Sequence, residues 1–271
     1  MTRAMGVRAS LASIWLHRSL LYQLWERDFS ARYRNGVLGV AWALLNPLLM
    51  LSLYSFVFVF VFRIRWGSGP DVKGNFVILL FTGLIVHGFF AEFVNRAPYL
   101  VSTNASYVKR VVFPLELLPL VPLLGALVNF AVGVVLTLVL LFALSGSIPA
   151  TVYLLPIIFL PYVIMVVGLA YFLSATAVFM RDLTHLVGIV STVAMFASPV
   201  LFPIESVPAG FRGLLYLNPL TLIVEQLREV AILGVTPDWR LTGVYSLIAI
   251  AVLCLGIAWF QALRKGFADV L

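Results

Sequence analysis

Six apolar runs, each near the length needed to cross a bilayer, constrain this chain more than anything else in it: Ala41 to Phe62, Phe76 to Asn95, Glu116 to Leu144, Val152 to Met180, Leu186 to Leu201 and Leu241 to Phe260. A helix rises about 1.5 Å per residue, so about 20 apolar residues cover a hydrocarbon core of about 30 Å. Backbone amides find no water there, and a segment of this kind satisfies them internally by folding as a helix. Composition agrees: 62% of the 271 residues are hydrophobic and 11% charged, where soluble domains hold about 45–50% and about 25%. The expectation is an all-α integral membrane protein of six transmembrane helices, one domain over residues 1–271 with no internal repeat.

The basic residues set an orientation. Lys and Arg number 18 against 11 Asp and Glu, a net charge of +7. An even number of spans puts both ends on one side, and that side holds Arg3, Arg8, Arg18, Arg27, Arg32, Arg34, Arg96, Lys109, Arg110, Arg181, Arg264 and Lys265. The opposite side holds only Arg63, Arg65, Lys73, Arg212, Arg228 and Arg240. Positive charge collects on the cytoplasmic side, so both termini are predicted cytoplasmic. The basic excess is then topological, and no nucleic-acid partner is implied. The first residues lack the shape of a cleaved signal peptide, since polar residues from Trp25 to Asn35 interrupt any apolar run.

Three pieces between the runs are not plain loops. Over residues 15–35, Leu20, Leu21, Leu24, Trp25, Phe29 and Tyr33 repeat at helical spacing while Arg18, Glu26, Arg27 and Arg34 fall mainly elsewhere, which predicts an amphipathic interface helix. Two readings stand for it: a simple anchor, or a site where Arg27, Arg32 and Arg34 meet a phosphate-bearing lipid head group. The stretch from Asn95 to Pro114 is longer than a tight helical connection needs. A short helix capped by Asn104 and ended by Pro114 would present Tyr107, Lys109, Arg110 and Phe113 for docking, although a solvated loop is equally compatible with spacing alone. Met180 to His185 links the fourth and fifth spans, and Arg181 and Asp182 can pair within it. On the outer side, residues 202–238 contain two amphipathic pieces, Val207 to Leu217 and Leu220 to Leu233, broken at Pro208 and at Asn218-Pro219. They read as a re-entrant hairpin or as an external cap.

The chemistry that is missing narrows the function. Each lysine precedes a residue without a hydroxyl, so no phosphate-binding loop ending in Lys-Ser or Lys-Thr exists and the chain does not bind ATP in that way. His17, His87 and His185 are scattered without metal-ligand spacing, so no metal or other cofactor is expected in this chain. The one cysteine, Cys254, lies in an apolar run and reads as an inert packed thiol. Polar groups within the spans are few: Asn46, His87, Glu92, Glu116 and Asn129. They form no carboxylate relay of the kind an ion-driven pump needs, so energy must come from outside. On the first run, Trp42 stands near the start, and Tyr54, Phe58 and Phe62 share a helical stripe. Such aromatics either support sugar rings along a translocation pathway or pack against helices and lipid.

The run Trp25–Trp42 (WERDFSARYRNGVLGVAW), followed by Leu45–Leu48 (LNPL), resembles the permease subunits of polysaccharide-exporting type-2 ABC transporters, which export lipid-linked O antigen, capsule or wall teichoic acid. The resemblance continues through Val108–Pro119 (VKRVVFPLELLP), Phe179–Leu183, Ser198–Pro203, Leu217–Pro219 and Lys265–Asp269, in order along essentially the whole chain. It implies a homodimer in the bacterial cytoplasmic (inner) membrane, with two copies of a separate ATPase carrying ATP and Mg. It also implies that Ser106, Tyr107, Val108, Lys109, Arg110 and Phe113 form a cytoplasmic coupling helix, and that the lipid phosphates sit near Arg27, Arg32, Tyr33 and Arg34. The glycan would pass Trp42, Tyr54, Phe58 and Phe62, and any glycan-recognition module would belong to the partner.

Two rivals compete with that reading. A type-2 exporter of drugs or small lipids shares the topology, and a membrane-embedded transferase would need paired carboxylates or a histidine at a membrane edge. If Lys109 and Arg110 dock an ATPase, reversing both to Glu is expected to abolish co-purification of the two subunits; an undiminished complex would remove these residues from the docking surface.

Overall fold

The computed structural model describes residues 6–33, 39–61, 72–108 and 113–271, and every regular element among them is helical. Two helices, α1 (Val7–Leu16) and α2 (Arg18–Tyr33), precede the first apolar helix, α3 (Trp42–Ser55). Then come α4 (Val72–Arg96), α5 (Ala105–Val108), α6 (Val121–Ser145), α7 (Leu155–Phe179) and α8 (Leu183–Phe196). The chain ends with α9 (Ala209–Leu215), α10 (Pro219–Arg228), α11 (Trp239–Leu263) and the single turn α12 (Phe267–Val270).

Four helical stretches among the described residues are long and apolar enough to cross a membrane: Phe76–Tyr99, Leu115–Ser145, Ala150–Phe179 and Trp239–Val270. They coincide with four of the six expected spans. The other two are shorter. The first run is α-helical only to Ser55 and loosens into a π-turn over Phe56–Val61. The fifth, α8, has 14 residues, about 21 Å of rise. Its expected continuation to Leu201 fails at Ala197–Val200, where Pro199 cannot donate to a helical ladder and the chain turns. The residue-15 start of the interface helix also moves: the helix breaks at His17, and α1 begins eight residues earlier.

The centre of the bundle is α7, buried along most of its length from Leu155 to Val178. Its closest neighbour is α11, and the approach depends on two glycines. A Cβ at Gly256 would lie 2.1 Å from the Gly168 carbonyl oxygen, and a Cβ at Gly168 would lie 2.6 Å from the Leu253 nitrogen. Small residues let backbones touch, which is how helices gain dispersion contact where lipid gives no hydrophobic drive. On the other flank α4 buries Phe76, Leu80, Val86, Phe89 and Phe93. Phe89 meets Phe130 and Phe159, whose rings stack 3.7 Å apart. By contrast α6 turns Val135, Val139 and Phe142 outward.

Residues 197–238 close the end of the bundle away from the termini. Asn218 starts α10 by accepting from the Leu220 amide, while its own amide donates to Ala194 and Ala197 carbonyls at the end of α8. α10 buries Leu220, Ile223, Val224 and Leu227 against α4 and α7, whereas α9 leaves Phe211 and Leu214 exposed and the turn after it exposes Leu217. Arg228, 4% exposed, donates to the carbonyls of Leu79, Pro199 and Val200 and pairs with Glu225 at 3.2 Å. It thereby pins the broken chain after α8 to the start of α4. Burial pushes the Glu225 carboxyl above its ordinary range while Arg228 pulls it back. Burial likewise brings Arg228 down to about 10, so it keeps its charge near neutral pH.

Replacing Gly256 by Leu is expected to force α7 and α11 apart and lower stability by about 3 kcal/mol, read as an earlier thermal transition in detergent. Gly188→Leu, where an added Cβ meets nothing within 4 Å, serves as the control and should melt like the parent.

Candidate functional site

At the end of the bundle that carries both termini, charge is concentrated, and the charged side chains that α2 and α4 turn toward each other are paired. On α2, Leu24, Asp28 and Arg32 recur every fourth residue and face the bundle. Asp28 takes both guanidinium nitrogens of Arg96 at the end of α4. Arg32 donates to Glu92 Oε1, one turn before Arg96, and lies 3.8 Å from Asp28. Asn129 on α6 donates to the other oxygen of Glu92, Oε2, at 2.8 Å. The Arg32 guanidinium rests over Gly125, where a Cβ would come within 3.3 Å of its nitrogen. The result is a chain of charges of zero net sign, Arg96–Asp28–Arg32–Glu92, each polar atom stationed by the next.

This chain ends in a cleft of about 520 Å³ between α3, α4 and α6. Arg32, Asn46, Glu92 and Asn129 supply its polar atoms, and Trp42, Met50, Phe81, Phe89 and Phe130 are among its apolar walls. A polar patch inside an apolar cleft suits an amphiphile, a charged head with an apolar tail. Of the aromatics expected on the pathway, Trp42 lines this cleft. Tyr54 and Phe58 do not: they lie 6.2 Å apart, with Phe58 6.4 Å from Phe76, and pack on the core. Phe62 and Arg34 lie outside the described residues, as does the side chain of Tyr33.

The segment expected to dock an ATPase is partly buried where it is described. Ala97, Pro98, Leu100 and Val101 are buried, and α5 carries Ser106, exposed, with Tyr107 and Val108 half-buried. Asn104 does not cap α5 forward; its amide donates back to Leu100 O and Thr103 Oγ1. Phe113 stacks on Tyr107 at 4.5 Å with the rings 8° from parallel. Lys109 and Arg110, between them, lie outside the described residues. Arg27 donates to the Tyr107 hydroxyl at 2.6 Å, with its guanidinium 5.6 Å from the ring. Arg27 and Arg32, grouped by sequence as one phosphate-binding cluster, are thus separated. Five residues apart on a helix, they point about 140° from each other, one to Tyr107 and the other to the cleft.

A second node joins the termini to the bundle. Glu116, 1% exposed in the turn before α6, accepts from Ser13 at 2.6 Å and from Arg264 at 2.9 Å, while its backbone oxygen accepts from Tyr171 at 2.6 Å. Gln261 donates to Ser10 beside it. Sequence reasoning noted Glu92 and Glu116 but not their partners, and it missed Asp28, Arg96, Ser13 and Arg264. One signal was available: a carboxylate at the edge of an apolar run needs a cation, and each of these had arginines within reach of the same membrane face. Arg181 and Asp182 form no ion pair with each other among the described residues. Nor do those residues contain a cluster of three or more His, Cys, Asp or Glu able to hold a metal. His87 is spent on the Ser191 carbonyl, joining α4 to α8.

Residues 19–232 match the ABC-2 type transporter family. The chain is 30% identical over 263 residues to an O-antigen export system permease protein RfbA of Myxococcus xanthus, covering 94% of this chain and 96% of that protein. It is 27% identical to an RfbA of the same description from Klebsiella pneumoniae, over 93% of this chain and 95% of the relative. To the polysialic acid transport protein KpsM of Escherichia coli it is 23% identical over 88% of this chain and 91% of that one.

Glu116→Ala strips Ser13 and Arg264 of their acceptor and is expected to cost about 3 kcal/mol, seen as an earlier melting transition. Glu116→Gln, which keeps an acceptor for Ser13, should lose less.

Proposed function

The chain belongs to the ABC-2 type transporter family, and on that premise we propose that it is the permease subunit of an exporter that carries a lipid-linked polysaccharide, most nearly an O antigen, across the bacterial cytoplasmic membrane. The observation that carries this reading is likeness over nearly the whole chain to permeases named for O-antigen and polysialic acid export. The cleft supports it independently, because a charged patch walled by aromatic and aliphatic side chains fits a phosphate head on a long apolar carrier. A permease is a transport component rather than a catalyst. ATP and Mg belong to a separate ATPase partner.

In this reading all six apolar helices cross the membrane, α3 and α8 being short crossings completed by the segments that follow them. Both termini are cytoplasmic, and residues 202–238 form a re-entrant hairpin in the outer half. Two copies of the permease pair side by side, with α6 offering outward apolar residues to the second copy or to lipid. Two ATPase subunits dock from the cytoplasm on the segment from Ser106 to Phe113. ATP-driven closure of the ATPases favours one arrangement of the permease pair over the other, and only such differential contact can move an equilibrium. Arg27 joins the docking segment to α2, and α2 carries Arg32 to the cleft. Motor and substrate site therefore share one helix.

Deleting the gene and following polymer by lipid class and location tests the proposal. A lipid-linked polysaccharide is expected to accumulate on the cytoplasmic face and disappear from the surface, with export restored by the intact chain. Normal surface polysaccharide together with heightened drug sensitivity would instead mark an exporter of small molecules.

A further inference from the structure

The cleft has one property that a simple receptor for a phosphate would lack. Its cation already has an anion. Arg32 is held by Glu92, with Asp28 3.8 Å away on its other side, and Glu92 is itself fixed by Asn129. Neither partner is spare solvent-facing charge: the side chains of Arg32 and Glu92 are 25% and 20% exposed, against apolar walls. A ligand that engages Arg32 must take the place of the carboxylate.

We propose that Glu92 is a specificity-determining residue, an internal occupant of the head-group site that only an anion of greater charge than a carboxylate displaces. This rests on the reading of the chain as an exporter of lipid-linked polymer. A phosphodiester of ordinary phospholipid carries one negative charge, as Glu92 does, and gains nothing in charge by replacing it. A polyprenyl diphosphate carries at least two, and its paired oxygens match the planar fork of a guanidinium. The exporter works in a sea of phospholipid, so an unguarded arginine in an apolar cleft would be occupied by the wrong lipid most of the time. Discrimination built by raising the cost of the competitor is as effective as discrimination built by favouring the substrate. Asn129 has a matching role: it keeps one oxygen of Glu92 bonded when Arg32 leaves, so the displaced carboxylate is not stranded among apolar side chains.

The test is lipid binding to the intact permease–ATPase complex, measured by native mass spectrometry with two probes, undecaprenyl diphosphate and phosphatidylglycerol. The parent complex is expected to bind the diphosphate at least about tenfold more tightly. Glu92→Gln keeps the hydrogen-bonding shape and removes the charge; it should tighten phosphatidylglycerol by about tenfold, equivalent to about 1.4 kcal/mol, and the diphosphate by much less, so that the preference collapses. Glu92→Asp, which draws the carboxylate back from Arg32, is the second variant should the first fail to assemble, and it is expected to fall between. Adding Arg32→Gln to Glu92→Gln should abolish the gain. If the parent binds the diphosphate and neither variant alters the preference, Glu92 is not a selector and this proposal falls alone. Should the parent bind neither lipid, the head-group reading of the cleft falls, and the proposal with it.

Discussion

A carboxylate withdrawn from water at the edge of an apolar helix has to be neutralised, and the fold at one end of this protein is arranged around that demand. Glu116 is nearly inaccessible, and it is satisfied by residues from opposite ends of the chain, Ser13 and Arg264. Tyr171 adds a bond from the middle of α7 to the same residue's backbone. Removing one partner of a buried pair leaves an uncompensated charge, a far larger cost than the pair's net worth. The N-terminal helix, the turn before α6 and the last turns of α11 are therefore obliged to move, if they move, as one body.

The second polar assembly at that end, from Arg96 through Asp28 and Arg32 to Glu92 and Asn129, differs in being partly exposed and open to a cleft. Partly hydrated ion pairs are worth little net energy and are readily exchanged. The contrast assigns the two assemblies different work: the dry one around Glu116 holds the scaffold, and the wetter one around Arg32 can trade partners. At the opposite end Arg228 resembles the first kind. Its guanidinium satisfies the Pro199 and Val200 carbonyls exposed by the break after α8 and ties them to the Leu79 carbonyl on α4, so an irregular backbone persists where a helix would otherwise be required.

The sequence groups Arg27, Arg32 and Arg34 near the N-terminus, and in the structure Arg27 and Arg32 meet different neighbours, Tyr107 and Glu92. Arg27 and Arg32 share a helix and a sign, and nothing local distinguishes them. What separates them is the rotation between positions five apart, together with which element lies across from each, and the latter depends on α4, α5 and α6 packing beside α2. The aromatics of the first helix show the same limit. Trp42, Tyr54 and Phe58 are chemically alike, yet one lines the cleft and two pack on the core.

By itself the sequence determined that the chain is helical and embedded in a membrane, where its long spans lie, that residues 202–238 are broken at Pro208 and Asn218-Pro219, and which family it resembles. Those follow from backbone hydrogen bonding in hydrocarbon and from local residue chemistry, both of which act over a few turns. Only the tertiary structure decided that α3 and α8 stop short, that Gly168 and Gly256 bring two helices into backbone contact, and that Glu92, Glu116 and Arg228 each have the partners they do. Those pairings join residues up to about 150 positions apart, and distance along a chain carries no information about a contact until the helices between have been packed.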